Sequence, residues 1–180
     1  MRVFVAAELP RPVAEGLAGW TPRDDALRPV AVESLHLTLA FLGERSEAEA
    51  GAVGALLAGV ARPVRALSLG EALWLPRRRP RVLAVAVDDG DGALTAMQGA
   101  LAEALAGAIG FDAGDRPYLP HVTVARVRGR VDRALRDAAT AAPPPGGAGG
   151  GAFAAEGIAL VRSHLGRGPA RYETLERVEL

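Results

Sequence analysis

The chain has 180 residues, nearly half of them apolar, and a formal net charge of zero. That is enough for one domain with a real core, too little positive field for wide coating of nucleic acid, and no stretch reaches the roughly 20 uncharged apolar residues that span a bilayer. It contains no Cys and no Lys, which excludes disulfides, thiolate nucleophiles, thiolate metal sites, a P-loop lysine, a Schiff-base lysine and a lysine that carries a nucleotidyl group.

Arg2 to Glu8 is a β-branched and apolar run that reads as a strand. MRVFVAAELP has no basic segment followed by a long apolar one, so no signal peptide is expected, and the protein is read as soluble and cytoplasmic. Pro10 to Trp20 can form a helix, with Pro12 in its first turn. Leu35 to Leu42 reads as a strand closed by Gly43. Ser46 and Glu49 form a capping-box pattern at the head of a helix that runs to about Val60. Val64 to Leu75 and Val82 to Val87 are predicted strands, joined by Pro76 to Pro80 with Arg77, Arg78 and Arg79 at the tip. A helix opens at Asp91 or Gly92 and ends near Gly110, and Leu119 to Val127 is the next strand. Val131 to Ala139 reads as a helix, and the Gly- and Pro-rich run 141–152 as a mobile loop. Phe153 to Arg162 and Arg171 to Glu179 are the last two strands.

One short pattern occurs twice. His36-Leu37-Thr38-Leu39 returns as His121-Val122-Thr123-Val124, 85 residues later. Side chains alternate faces along a strand. Each copy can therefore anchor its two apolar residues in a core and present an imidazole and a hydroxyl on the other face. No GxGxxG follows the first strand, so a doubly wound nucleotide fold is not indicated. The reading is one α+β domain over 1–180. It is bilobal, with two halves of mainly antiparallel sheet carrying outer helices around a cleft, where ligands commonly bind.

An unperturbed imidazole titrates near pH 6.5, so two of them facing one substrate can divide the two proton transfers of a hydrolysis. Thr hydroxyls can donate to non-bridging phosphate oxygens, and a guanidinium can grip a phosphate with two parallel bonds. Arg126 lies just past the second motif, but strict alternation places it on the face opposite His121. A bulge or the end of the strand must intervene for it to serve. No acidic ligand accompanies either motif at useful spacing, so no metal and no cofactor are expected.

HLTLAFLG and RPYLPHVTVARV resemble the two signatures of the two-histidine phosphoesterases. The match is closest to their branch of RNA 2′,3′-cyclic phosphodiesterases, also called bacterial 2′-5′ RNA ligases. MRVFVAAELP resembles that family's first strand and PRRRPRVLAVAV its central hairpin. Leu160 to Leu175, with Ser163, Leu165, Gly168 and Tyr172, resembles its closing segment. The resemblance implies metal-independent hydrolysis of an RNA 2′,3′-cyclic phosphate end to a 2′-phosphate. It makes His36 the acid and His121 the base, a polarity that two nearly equivalent motifs do not fix. Thr38, Thr123 and Arg126 would hold the phosphate. It also implies slow, reversible 2′-5′ joining, which without Lys cannot pass through an adenylated lysine and must use the hydrolytic chemistry with a 5′ hydroxyl replacing water.

Two other readings keep the same residues: a phosphodiesterase on small cyclic nucleotides or 2′-5′ oligonucleotides, and a non-catalytic module that binds nucleotides or RNA ends. His164 reads as a surface or cleft-edge residue. The arginine tip, with Arg81, suits either RNA backbone or plain solvent. Phe41 and Trp74 could stack on a base, but core packing is the expectation for both. A monomer is expected.

Overall fold

The structure is a computed structural model that describes residues 1–145, 151–164 and 171–180. Among them, eight strands form one antiparallel sheet. In chain order the elements are β1 (Arg2–Glu8), α1 (Arg11–Trp20), β2 (Leu27–Pro29), a 3-10 turn (Val32–Ser34), β3 (His36–Glu44), α2 (Glu47–Val60), β4 (Leu67–Leu75), β5 (Val82–Asp89), α3 (Ala93–Ile109), β6 (His121–Val127), α4 (Arg133–Ala141), β7 (Gly157–His164) and β8 (Arg171–Glu179). The strands lie in the order β4-β5-β6-β3-β1-β7-β8, with β2 added on β6.

The helices form where periodicity and caps agree. In α2, Ala50, Val53, Leu57 and Val60 recur at helical spacing and are buried. Ser46 accepts from the Glu49 amide while the Glu49 carboxylate accepts from the Ser46 amide, closing the capping box. In α3 the buried set is Leu94, Met97, Leu101 and Leu105, and Gly110 ends the helix at φ 62°. These two helices pack on each other and cover the sheet, and between them and the strands lies the main core.

The sheet is narrow at its middle. β3 and β6 pair through one residue pair, Leu37 with Val122. On one side lie β1, β7 and β8, on the other β5, β4 and β2. The two sides exchange strands. β4, which follows β3 and α2, pairs with β5, whereas β7, which follows β6 and α4, pairs with β1.

Several boundaries differ from the sequence expectation. β4 begins at Leu67 rather than Val64 and β7 at Gly157 rather than Phe153. Phe153 instead makes an isolated bridge to Leu67, so the chain enters β7 along the edge of β4. β6 begins at His121, because Leu119 and Pro120 are still approaching the sheet. β2 and the 3-10 turn have no counterpart in the sequence reading. Of the expected loop 141–152, residues 146–150 lie outside the described residues. Before them Pro144 is buried and the Ala142 carbonyl accepts from the Trp20 indole at 3.1 Å, while residues 141–143 and 145 are exposed. Leu165 and Gly168 also lie outside the described residues. No described helix is long and apolar enough to cross a membrane.

Candidate active site

Both repeated motifs start their strands, and both fold alike. In His36–Phe41 and in His121–Arg126 the first and third residues are half-buried, the second, fourth and fifth are buried, and the sixth is exposed. Two consecutive buried residues break strict alternation, and a β-bulge in each strand explains them. Against β1, Ala6 pairs with Thr38 and Val5 with Ala40, which leaves Leu39 as the extra residue. Against β5, Ala84 pairs with Thr123 and Leu83 with Ala125, which leaves Val124 as the extra residue. A bulge re-aims everything beyond it. It returns Arg126 to the face of His121 and Thr123, and it turns Phe41, at the equivalent place, to the face of His36 and Thr38.

The pair Leu37–Val122 sits where the two motifs cross. Antiparallel register about it places Thr38 across from His121 and Thr123 across from His36. Each imidazole lines a cavity together with the other motif's threonine, His36 with Thr123 and His121 with Thr38. The ring nitrogens are set in the same way in both copies. His36 Nδ1 lies 2.7 Å from the Ser34 carbonyl, and His121 Nδ1 lies 2.8 Å from the Leu119 carbonyl. A carbonyl can only accept, so each Nδ1 carries the hydrogen and each Nε2 is left as the working nitrogen.

The segments leading into the motifs brace one another. The stretch before His36 contains β2, which pairs with β6, and the Val30 amide donates to the Val124 carbonyl at 2.8 Å. The stretch before His121 contains Tyr118, whose hydroxyl donates to the Thr38 carbonyl at 3.1 Å. Gln98 on α3 reaches the Leu39 carbonyl at 3.4 Å. Burial raises the Tyr118 phenol above its usual range, so it stays a protonated donor. Past the single junction pair, the backbone groups of β3 and β6 would otherwise face the cleft unpaired.

A cavity of about 640 Å³ is lined by His36, Thr38, Thr123, Arg126 and Tyr172, with Arg2, Arg28, Ser163 and His164 also on its wall. A second, of about 740 Å³, is lined by His121, Thr38 and Phe41, with Phe111, Arg116, Tyr118 and Leu119. Thr38 and Phe41 belong to both, so the two cavities adjoin at the crossing of the motifs. His36, His121, Thr38, Thr123 and Arg126 are all brought to this one place. Among the described residues, no three His, Cys, Asp or Glu side chains cluster in a way that could hold a metal ion.

The two imidazoles differ in their surroundings. Phe4 stacks on the His36 ring with centroids 4.8 Å apart, and the Tyr172 ring meets it edge-on at 5.5 Å. His36 is held below its ordinary pKa, first by burial and then by repulsion from Arg126 and His121, against the bond to Ser34, which raises it.

Phe41 corrects an expectation. Core packing is the sequence expectation for it, and it is 69% exposed, because the bulge at Leu39 turns it out of the core. Trp74 is buried as expected, with the Arg136 guanidinium 5.9 Å from its ring centre. His164 sits on the cavity wall with Nε2 2.8 Å from the Glu173 carboxylate. Arg77, Arg78 and Arg79 are exposed between β4 and β5. Phe4, Tyr118 and Tyr172 enter the sequence reading only as parts of resembling segments. Their partners are distant in the chain, so no local pattern marks them.

Comparison with known proteins supplies a lineage. The model of the 2′-5′ RNA ligase superfamily matches residues 9–167. A protein of Escherichia coli K12 named RNA 2′,3′-cyclic phosphodiesterase is 34% identical over 98% of this chain and 94% of its own. One of the same name from Thermus thermophilus is 36% identical over 100% of this chain and 90% of its own. Among solved structures, TT0787 of Thermus thermophilus superposes with a TM-score of 0.80 at 31% identity, covering 100% of this chain and 98% of that one. The E. coli LigT structure complexed with 3′-AMP gives a TM-score of 0.72 at 31% identity, covering 99% and 97%.

Proposed function

Because this chain belongs to the 2′-5′ RNA ligase superfamily, we propose that it is a phosphodiesterase that opens RNA 2′,3′-cyclic phosphate ends to 2′-phosphates. The names of its relatives in E. coli and T. thermophilus support the activity. The observation that carries the chemical reading is the matched pair of imidazoles. Each has its Nδ1 tied to a carbonyl two residues upstream and the other motif's threonine across from it.

In the proposed reaction a water oxygen attacks phosphorus and the bond from phosphorus to O3′ breaks. His121 Nε2 takes the proton of the water, and His36 Nε2 gives a proton to O3′. Each transfer is worth roughly 10²–10⁴-fold in rate. Thr38, Thr123 and Arg126 donate to the non-bridging oxygens, whose charge must be held through the transition state. Both proton transfers fall to side chains of this chain, so the proposed mechanism asks for no metal or cofactor. The exposed Phe41 ring suits stacking of the terminal base. Joining is the same displacement with a 5′ hydroxyl in place of water, forming a 2′-5′ linkage as the bond from phosphorus to O3′ breaks, and it is proposed to need no ATP.

The acid must be protonated when substrate is bound, yet the free protein favours neutral His36. A bound phosphate anion supplies the correction, because it pairs with Arg126 and attracts the imidazolium. The polarity is tested by following the His36 ring by NMR with and without 2′-AMP. A rise in its pKa on binding supports His36 as the acid, and a neutral His36 in the complex assigns that role to His121.

The activity is tested by turnover of 2′,3′-cyclic AMP in a strong chelator, with wild type, His36→Ala and His121→Ala. The expected result is a 2′-phosphate product, a bell-shaped pH profile and a loss of at least about 10²-fold in each variant. No turnover by wild type on this compound, nor on an RNA oligomer with a cyclic end, would sink the reading and favour a binding module.

A further inference from the structure

A second, smaller apolar cluster lies apart from the main core. It consists of Phe4, Ala6, Ala159 and Val161, with Tyr172 packed against it, and it belongs to β1, β7 and β8. His36 rests on it. Phe4 lies under the imidazole nearly parallel, at 26°, while the Tyr172 ring stands edge-on to Phe4 at 5.2 Å and edge-on to His36 at 5.5 Å. Three rings so arranged fix one another's planes. By the register of the two bulged strands, Val82 occupies the place beside Arg126 that Phe4 occupies beside Phe41. The register position that holds the Phe4 ring in the first motif's half thus holds an aliphatic side chain in the second's.

Tyr172 also has a second partner. Its hydroxyl oxygen accepts from Arg126 Nη2 at 3.3 Å. Arg126 lies in β6, on the other side of the β3–β6 junction, so one side chain of β8 touches the first motif's imidazole and the second motif's guanidinium. Packing on His36 requires only the ring, and phenylalanine would supply that. The hydroxyl does something separate. A carboxylate in its place would orient Arg126 but cancel the charge that a phosphate needs. A neutral phenol oxygen orients the guanidinium and leaves its charge intact.

We infer that Tyr172 is a positioning residue of the phosphate site: its ring fixes the plane of His36, and its hydroxyl aims Arg126 into the cleft without neutralising it. This rests on the reading of the cleft as a phosphate site. Two different atoms carry the two duties, so they separate by substitution. Tyr172→Phe keeps the ring and removes the tie to Arg126. Tyr172→Leu removes both.

The test is the dissociation constant of inorganic phosphate, with KM and kcat for 2′,3′-cyclic AMP, in wild type, Tyr172→Phe, Arg126→Ala and the double variant. Tyr172→Phe should weaken phosphate binding about 3- to 10-fold, the size expected for losing one typical hydrogen bond, and the loss should appear in KM rather than kcat. In the Arg126→Ala background the same change should have no further effect. In Tyr172→Leu the His36 ring should titrate closer to its ordinary value as water reaches it, while in Tyr172→Phe it should not move. Phosphate binding by Tyr172→Phe equal to wild type, or a loss of equal size with and without Arg126, overturns the inference. If Tyr172→Leu fails to fold, the phenylalanine variant still decides the matter, since it preserves the packing. A wild type that binds phosphate without turning over cyclic AMP would count against the proposed activity alone. A wild type that does not bind phosphate would overturn the inference, while turnover of cyclic AMP decides the activity separately.

Discussion

His36 ties the electrostatics of the site to the stability of the fold. Its ring is packed by Phe4 and Tyr172, and burial is the leading cause of its lowered pKa. A histidine whose folded pKa lies below its unfolded value prefers to be neutral in the native state. Its contribution to stability is complete above the ordinary value of 6.5 and is lost as pH falls from there through the lower folded value. Thermal unfolding scanned from pH 8 downward should show this fall in wild type and a shallower one in His36→Gln. An identical slope in the two proteins would contradict the assignment. The contrast with His121, whose surroundings hold no stacked ring of this kind at the matching register position, gives two chemically identical side chains different environments. Acid–base division of labour needs that difference.

The bulges are the element-level device that assembles the site. The repeat in the sequence extends one residue further than the four that announce it, since Ala40 follows Leu39 as Ala125 follows Val124. Two apolar residues in succession at matched places are the trace of the bulge, and alternation alone puts Arg126 on the wrong face. The motifs, the alternation through Leu37 and Val122, and the capping box at Ser46 are all legible because each depends on near neighbours. The three-residue β2 is not legible, since Leu27–Pro29 becomes a strand only by pairing with β6, far along the chain. Phe41 misleads for a similar reason: a phenylalanine in a strand looks like core until the bulge is known. The hairpin between β4 and β5 carries a separate expectation. Arg77, Arg78 and Arg79 are exposed at its tip, and arginine suits the phosphates of a longer strand. Replacing all three with Ser should raise KM for an RNA oligomer with a cyclic end and leave that for 2′,3′-cyclic AMP unchanged. Equal effects on both substrates would remove RNA contact from the tip.

Across the whole molecule, the cleft depends on a thin seam. Leu37 and Val122 form the one β3–β6 pair, and the lead-in of each motif holds the strand of the other. Tyr118→Phe removes the donor to the half-buried Thr38 carbonyl and should cost about 0.5–1.5 kcal/mol, the size of one typical hydrogen bond. Denaturant unfolding measures that cost, and an unchanged midpoint would show that the seam needs no such brace. The exchange of strands across the seam has a consequence for synthesis. A chain leaves the ribosome from its N-terminus, and β1 is made well before β7, which begins at Gly157 and covers one of its edges. The sheet half that carries His36 therefore stays open until β7 has been made. The half that carries His121 has β4, β5 and β6 in hand by residue 127. Long-range pairing of this kind is slow to form. The nascent chain thus leaves an edge of β1 uncovered until β7 has emerged, whereas the strands around His121 are complete about thirty residues earlier in the chain.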